Sequence, residues 1–182
     1  MPPLQFNPRV GLLLLPTLLL IAAPLAAQDP ERQSYVRVIA AHFQVAESEA
    51  HILLEDRISA EELPVLLLLA RETGLAPPAI LAYRRGGGTW MAVARRFDMS
   101  PSRFHVDLSP EDAGPRLERA ARLFRETPPQ QWAGLDFSDE EVIGLIHVKV
   151  LERYFQLPSA RIIEAREQAG SWIAVPTLLG RP

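Results

Sequence analysis

Two four-residue phrases, Ser59-Ala-Glu-Glu62 and Ser138-Asp-Glu-Glu141, constrain the fold of this chain more than any other feature. Each has the capping-box form, in which a serine and the glutamate three residues later satisfy each other's orphan first-turn amides. Each opens onto a dense apolar run, one containing Val65-Leu-Leu-Leu-Leu69 and the other spanning 142–151. Strands would need alternating β-branched and aromatic residues between turn clusters, and no such run occurs. The chain beyond the first 27 residues therefore reads as all-α.

Individual helices follow from spacing. Tyr35, Val36, Val38, Ile39, His42 and Phe43 recur with helical period, which predicts a helix over 31–44. A second is expected over 48–56, with Ile52 and Leu53 inward. The Ser59 helix runs to Glu72 and is closed by Gly74, although Pro64 is awkward there because proline suits only a first turn. Further helices are expected at 78–85, 90–96, about 117–124 and 138–155, with a short pair at 159–168 and 171–179 about Gly170. The stretch 105–115 reads as a loop.

A repeat underlies this pattern. Phe43-Gln-Val, Thr73-Gly-Leu, Phe97-Asp-Met and Phe155-Gln-Leu share one plan, each before a small or proline-containing helix opening. Gly88-Thr-Trp-Met-Ala-Val93 matches Gly170-Ser-Trp-Ile-Ala-Val175. The expected organisation is two related helical modules, 28–104 and 138–182, joined by a connector, 105–137, with one short helix. They resemble helix-turn-helix pairs stacked on a buried helix core, neither able to bury its face alone.

The first 27 residues have their own composition. A lead with one positive charge, Met1 to Arg9, precedes an apolar run, Val10 to Ala23, and a small-residue exit at Pro24-Leu-Ala-Ala27. That is the pattern of a secretory signal peptide, with cleavage expected after Ala27 and a periplasmic or secreted product. Pro16 and Pro24 interrupt the run, which falls short of the roughly 20 residues a spanning helix wants. Membrane contact is expected only through this segment, if it is retained. The chain has no cysteine, so disulfides, thiolate metal sites and a cysteine-linked lipid anchor are excluded. A net charge of −3 does not suit a generic nucleic-acid coat.

The stretch Arg84-Arg-Gly-Gly-Gly-Thr-Trp90 invites a functional reading. A phosphate loop is excluded because it needs a Gly-Lys pair after a strand. The helix-turn-helix likeness makes Arg84, Arg85, Arg95, Arg96 and Arg103 candidate phosphate contacts. Against nucleic acid stand the export signal and the Glu164 and Glu167 that match Ala82 and Arg85. Residues 90–97 also lack the Asn or Gln that usually reads adenine. The preferred reading is structural: left-handed glycines turn the chain, Thr89 caps, and Trp90 packs the helices, as Trp172 does in its own module.

From about Tyr35 onward, "FQVAESE", "ISAEELPVLLLLAR", "GLAP" and "RRGGGTW", with the closing Gly-Ser-Trp corner, resemble a group of uncharacterised exported bacterial all-α proteins with helix-turn-helix-like Gly-x-[Thr/Ser]-Trp repeats. The resemblance implies order and export, and no activity or functional residues.

Candidate chemistry is sparse. Glu47, His51 and Glu55 share a helical face at metal-ligand spacing, but the same spacing serves ordinary i,i+4 pairs. His105-x-Asp107 lies in the loop, near Ser100 and Ser102, with no recognisable nucleophile. His147 sits among Leu145, Ile146 and Val148 and reads as a packed core or interface histidine. No metal-protease His pair or nucleophile elbow occurs. The expected role is a non-catalytic exported envelope interaction or scaffolding protein, without cofactor, acting through a protein partner or self-association. Leu66 to Leu69 and the run 142–151 exceed one amphipathic stripe, which suggests a shared interface. The alternatives are a helix-turn-helix-like nucleic-acid binder and a weak metal-dependent enzyme using His51 or His105.

Overall fold

The computed structural model describes residues 29–55 and 58–180, so the expected signal peptide lies outside the described residues. Every regular element among the described residues is helical, as the lack of strand alternation requires. Helix α1, Pro30–Phe43, begins with proline in its first turn, and the Asp29 carboxylate accepts from the Glu31 amide at 3.0 Å. Helix α2, Glu47–Glu55, buries Ala50, Leu53 and Leu54. Ile52, expected inward, is 62% exposed: the inward stripe at 50, 53 and 54 puts it on the far side of the helix.

The Ser59 capping box forms, but it caps a short 3-10 turn, Ala60–Glu62. Helix α3, Leu63–Thr73, starts after that turn and so places Pro64 in its own first turn. The proline that conflicts with a helix beginning at Ser59 is thereby accommodated.

Helices α4, Pro77–Arg85, and α5, Trp90–Arg96, meet at the triple-glycine corner. Thr89 caps α5, accepting from the Ala92 amide at 3.1 Å. Only Gly87 of the three glycines is left-handed, at φ 87°; Gly86 has φ −69°. Two 3-10 turns flank α6, Gly114–Glu126: Pro101–Phe104, at the proline-containing opening after the Phe97 phrase and just before the connector, and Pro129–Gly134, inside the connector, which the sequence reading omits. Helix α7, Asp139–Phe155, opens on the complete Ser138 box. Helices α8, Ser159–Ala169, and α9, Val175–Leu179, follow; residues 171–174 form a turn, so Trp172 precedes the last helix instead of lying in it.

The four similar phrases are helix stops. Their second residues, Gln44, Gly74, Asp98 and Gln156, all have left-handed backbones, with φ of 59°, 70°, 55° and 55°. After α1 and α5 the next residue closes a wide loop, Val45 N–H to Ala40 O at 3.1 Å and Met99 N–H to Ala94 O at 2.9 Å. These are the amide-to-carbonyl links of a Schellman end, with an apolar residue folded back behind the turn.

Helix α7 is the centre of the molecule, packed by α1, α3, α5, α6 and α8. Between 142 and 151 only Ile143 and Lys149 are not fully buried, and Leu66, Leu67 and Leu69 of α3 are buried as well. Most of the apolar surplus that suggested a shared interface thus faces the chain's own core, while Leu68 and Ile143 are only partly buried. Where α6 meets α7 the helices come close at Gly144, and a Cβ there would lie 2.7 Å from Leu117 Cδ2. Among the described residues no single helix is long and apolar enough to cross a membrane.

Candidate functional site

The Trp90 corner is closed by its own side chains. Arg84, from the last turn of α4, lies with its guanidinium 4.9 Å from the Trp90 ring centroid. Its Nε and NH2 donate to Glu62 Oε1 at 3.2 and 2.7 Å, and NH2 also meets Asp139 Oδ2 at 2.7 Å. Trp90 joins the same network, its amide donating to Asp139 Oδ1 at 2.7 Å and its indole to Glu62 Oε1 at 3.1 Å. The two carboxylates come from the openings of α3 and α7, so the corner ties three parts of the fold together.

The other arginines weighed as phosphate contacts are drawn on too. Arg95 donates to Leu135 O at 3.0 Å and pairs with Asp136 at 3.0 Å. Arg96 lies over the Tyr83 ring, and Arg103 pairs with Glu72. Arg85 ends α4 beside Arg84. Arg84, Arg95 and Arg103 are therefore already neutralised by the fold, which does not gather the five into one free basic strip.

The candidate ligands and bases are dispersed. Glu47 pairs with Arg37 at 3.7 Å, and among the described residues Glu47, His51 and Glu55 do not form a ligand group. His105 stacks on Trp132 at 4.5 Å and meets the edge of Phe124 at 5.0 Å. Burial lowers its pKa, with Asp107 opposing and Lys149 adding to the shift. Ser100 caps the neighbouring 3-10 turn and accepts from the Ser102 hydroxyl at 3.0 Å. That arrangement packs an imidazole between aromatic rings and lines up no nucleophile.

His147 is in the core. Its Nδ1 lies 2.7 Å from Ile143 O, a carbonyl that can only accept, so Nδ1 carries the proton. Nε2 faces the Tyr35 hydroxyl at 2.8 Å, and that hydroxyl also reaches Ala60 O at 2.9 Å. The imidazole stacks on Trp172 with ring centroids 4.9 Å apart. Burial drives its pKa down to about 3, against a helping backbone hydrogen bond and with Arg166 pushing further down. The Tyr35 hydroxyl is pushed well above its ordinary range by burial and then by Glu61. A neutral, fully buried pair therefore forms the floor beneath Trp172.

Above that floor the second corner is open. Arg166 precedes Trp172 by six residues, as Arg84 precedes Trp90, and its guanidinium carbon lies 5.5 Å from the Trp172 ring centroid. The Trp172 amide donates to Glu61 Oε1 at 2.9 Å, parallel to the Trp90 amide on Asp139. Arg166 is only 8% exposed, and its Nε is buried with no hydrogen-bond partner. Arg166 and Trp172 border a cavity of about 280 Å³ whose other walls include Glu61, Arg116, Glu140 and Gly144. Arg116 is already paired with Glu140. Sequence reading singled out Trp172 but missed Arg166; the alignment of the two tryptophan corners, extended six residues upstream, finds it.

A second feature lies on the face formed by α1, α3, α7 and the Pro101–Phe104 turn. His42, Arg71, Arg103, Lys149 and Arg153 line a cavity of about 330 Å³ that contains one carboxylate, Glu72. Lys149, the chain's only lysine, donates to Arg103 O at 2.7 Å. Its pKa is lowered by burial and then by Arg103, while Glu72 and Glu152 oppose. His42 is lowered by burial, then by Arg153, Arg71 and Lys149. Both shifts are set first by burial, with neighbouring cations adding to it.

No family model matches the chain, and neither the curated proteins nor the solved structures contain a match.

Proposed function

We propose that this chain is an exported, non-catalytic interaction protein, built of two related helix pairs on α7, that docks an acidic protein partner. The observation that carries this reading is the basic face, where Arg71, Lys149, Arg153 and His42 surround the Arg103–Glu72 pair. Such a surface steers an oppositely charged partner and sets its register more than it adds raw affinity. Export rests on the signal-peptide pattern of residues 1–27. The two-module organisation is supported by the parallel Arg-over-Trp corners and by the acidic residues at helix openings that take up both tryptophan amides. Self-association is the less favoured form, since most of the apolar surplus of α3 and α7 is spent in the core.

Intact mass and cell fraction in the native host test export: a periplasmic chain starting at Gln28 supports it, and a full-length cytoplasmic chain refutes it. Crosslinking of the wild-type chain and of Arg71→Glu/Arg153→Glu tests docking. The expected result is an adduct with an acidic protein that weakens with salt and is lost in the variant. An adduct indifferent to both salt and charge reversal refutes the reading. Tight, salt-steep retention of duplex DNA would transfer the face to nucleic acid, the alternative that includes Arg103.

A further inference from the structure

We infer that the cavity at Arg166 and Trp172 is a binding site for a carboxylate carrying a short apolar group. Three observations converge on it, none of them part of the basic-face reading. The first is a buried guanidinium with an unpartnered N–H. Arg166 is more than nine-tenths buried, yet its Nε has no partner, and among the described residues no carboxylate pairs with it. Buried charges are ordinarily paired, because desolvation costs so much. The cation–π contact with Trp172 offsets only part of that cost.

The second observation is the molecule's own precedent. At the matching corner an arginine over a tryptophan is held by carboxylates, Glu62 on Nε and NH2 and Asp139 on NH2. Glu62 Oε1 takes the Nε edge of Arg84, the edge that Arg166 leaves unpartnered. A planar guanidinium suits a planar carboxylate, whose two oxygens match its parallel N–H groups. A ligand carboxylate meeting the Arg166 guanidinium from the cavity would therefore give it an acidic partner, as Glu62 gives Arg84.

The third is the lining. Arg116 is committed to Glu140, and Glu61 to the Trp172 amide, so Arg166 is the one cation of the lining with no carboxylate bonded to it. Glu61 and Glu140 repel a multiply charged phosphate more strongly than a singly charged carboxylate. Leu117, Ile143, Gly144 and the Trp172 ring give the remaining wall an apolar character. About 280 Å³ holds a small organic acid or the end of a peptide.

The test titrates the full mature chain with propionate, with Ala-Leu bearing a free carboxyl end, with the same dipeptide amidated, and with inorganic phosphate. Binding is read from the Trp172 indole N–H in ¹⁵N-correlated NMR spectra. A free carboxylate is expected to shift that resonance saturably. Amidation should weaken binding by at least about tenfold, the loss of one charge-assisted pair. Arg166→Gln should abolish the response while keeping its melting temperature, and Arg166→Lys should weaken it about tenfold or more. Equal affinity for propionate and dipeptide assigns the site to small organic acids; preference for the dipeptide assigns it to a carboxyl-terminal end. No saturable shift with either carboxylate, an unchanged response in Arg166→Gln, or phosphate binding as tight as carboxylate would each overturn the inference. None of these outcomes depends on the basic face, which Arg71→Glu/Arg153→Glu tests separately.

Discussion

At Trp90 a guanidinium 4.9 Å from the ring is gripped by two carboxylates; at Trp172 a guanidinium 5.5 Å from the ring has none. Both rings are buried, both backbone amides are taken by an acidic side chain from a helix opening, and both arginines stand six residues upstream. The corners differ in which residues reach them. Glu62 turns its carboxylate to Arg84 and the Trp90 indole, while Glu61 gives its carboxylate to the Trp172 amide and leaves Arg166 alone. The lesson is that one local device serves two ends. Saturated, it is a structural clamp; unsaturated, the same device is a receptor for the group that would saturate it.

The largest test of that parallel concerns the rings. Trp90→Ala and Trp172→Ala should each cost about 3–5 kcal/mol in denaturant unfolding, the range for truncating a buried aromatic. A much smaller loss at Trp172 would break the comparison by showing that the second ring is not part of the core.

Acid titration separates the corners next, because only the second stands on an imidazole. The folded pKa of His147 is depressed to about 3 from its ordinary 6.5, so an unfolded chain takes up a proton that the folded chain refuses. The His147 contribution is therefore intact above about pH 6.5 and lost as pH falls toward 3. The slope approaches about 1.4 kcal/mol per pH unit in the middle of that window. His147→Phe should flatten this limb while leaving the Tyr35 hydroxyl on Ala60 O. An acid limb identical in wild type and variant would remove the buried-floor argument.

The smallest effects lie in the turns. Gly87 and Gly170 have φ of 87° and 75°, and a Cβ at either position meets nothing within 4 Å. Substitution by alanine therefore costs only backbone strain, about 1 kcal/mol at each. Matched losses in thermal melts would sharpen the equivalence of the corners; a far larger loss at one would reveal packing that the other lacks.

Much of this architecture could be read from sequence, because its signals are local. Capping boxes, Gly74 and Gly170 as helix stops, and the period of α1 all act within a few residues, and they place most helices to within a residue or two, while α6 begins three residues before and α9 four residues after the expected start. Errors arise where the local rule was sound but its neighbourhood was not visible. Ser59 caps a 3-10 turn because Pro64 forces α3 to begin at Leu63. Ile52 faces out because the inward stripe of so short a helix is settled by what α2 packs against. The four similar phrases proved to carry helix-termination geometry, a shared local task that by itself does not require duplication.

The site was less legible, because it depends on who fails to meet whom. Sequence gives Arg84 and Arg166 the same position before a tryptophan, and only the approach of the Glu62 and Asp139 carboxylates, far from Arg84 in the chain, distinguishes them. The same tertiary pairing removed Arg84, Arg95 and Arg103 from the free basic surface that their spacing suggested.

The central claim, that Arg84 is a clamp and Arg166 is not, is tested most directly by denaturant unfolding of Arg84→Met and Arg166→Met side by side at neutral pH. Arg84→Met strands Glu62 and Asp139 and should lose about 2 kcal/mol, the buried-pair cost discounted for a guanidinium that remains partly exposed. Arg166→Met removes an unpaired buried charge and should change stability by no more than about 0.5 kcal/mol, or increase it. Equal losses in the two variants would contradict the account, since Arg166 would then be holding the fold together through contacts as binding as those of Arg84.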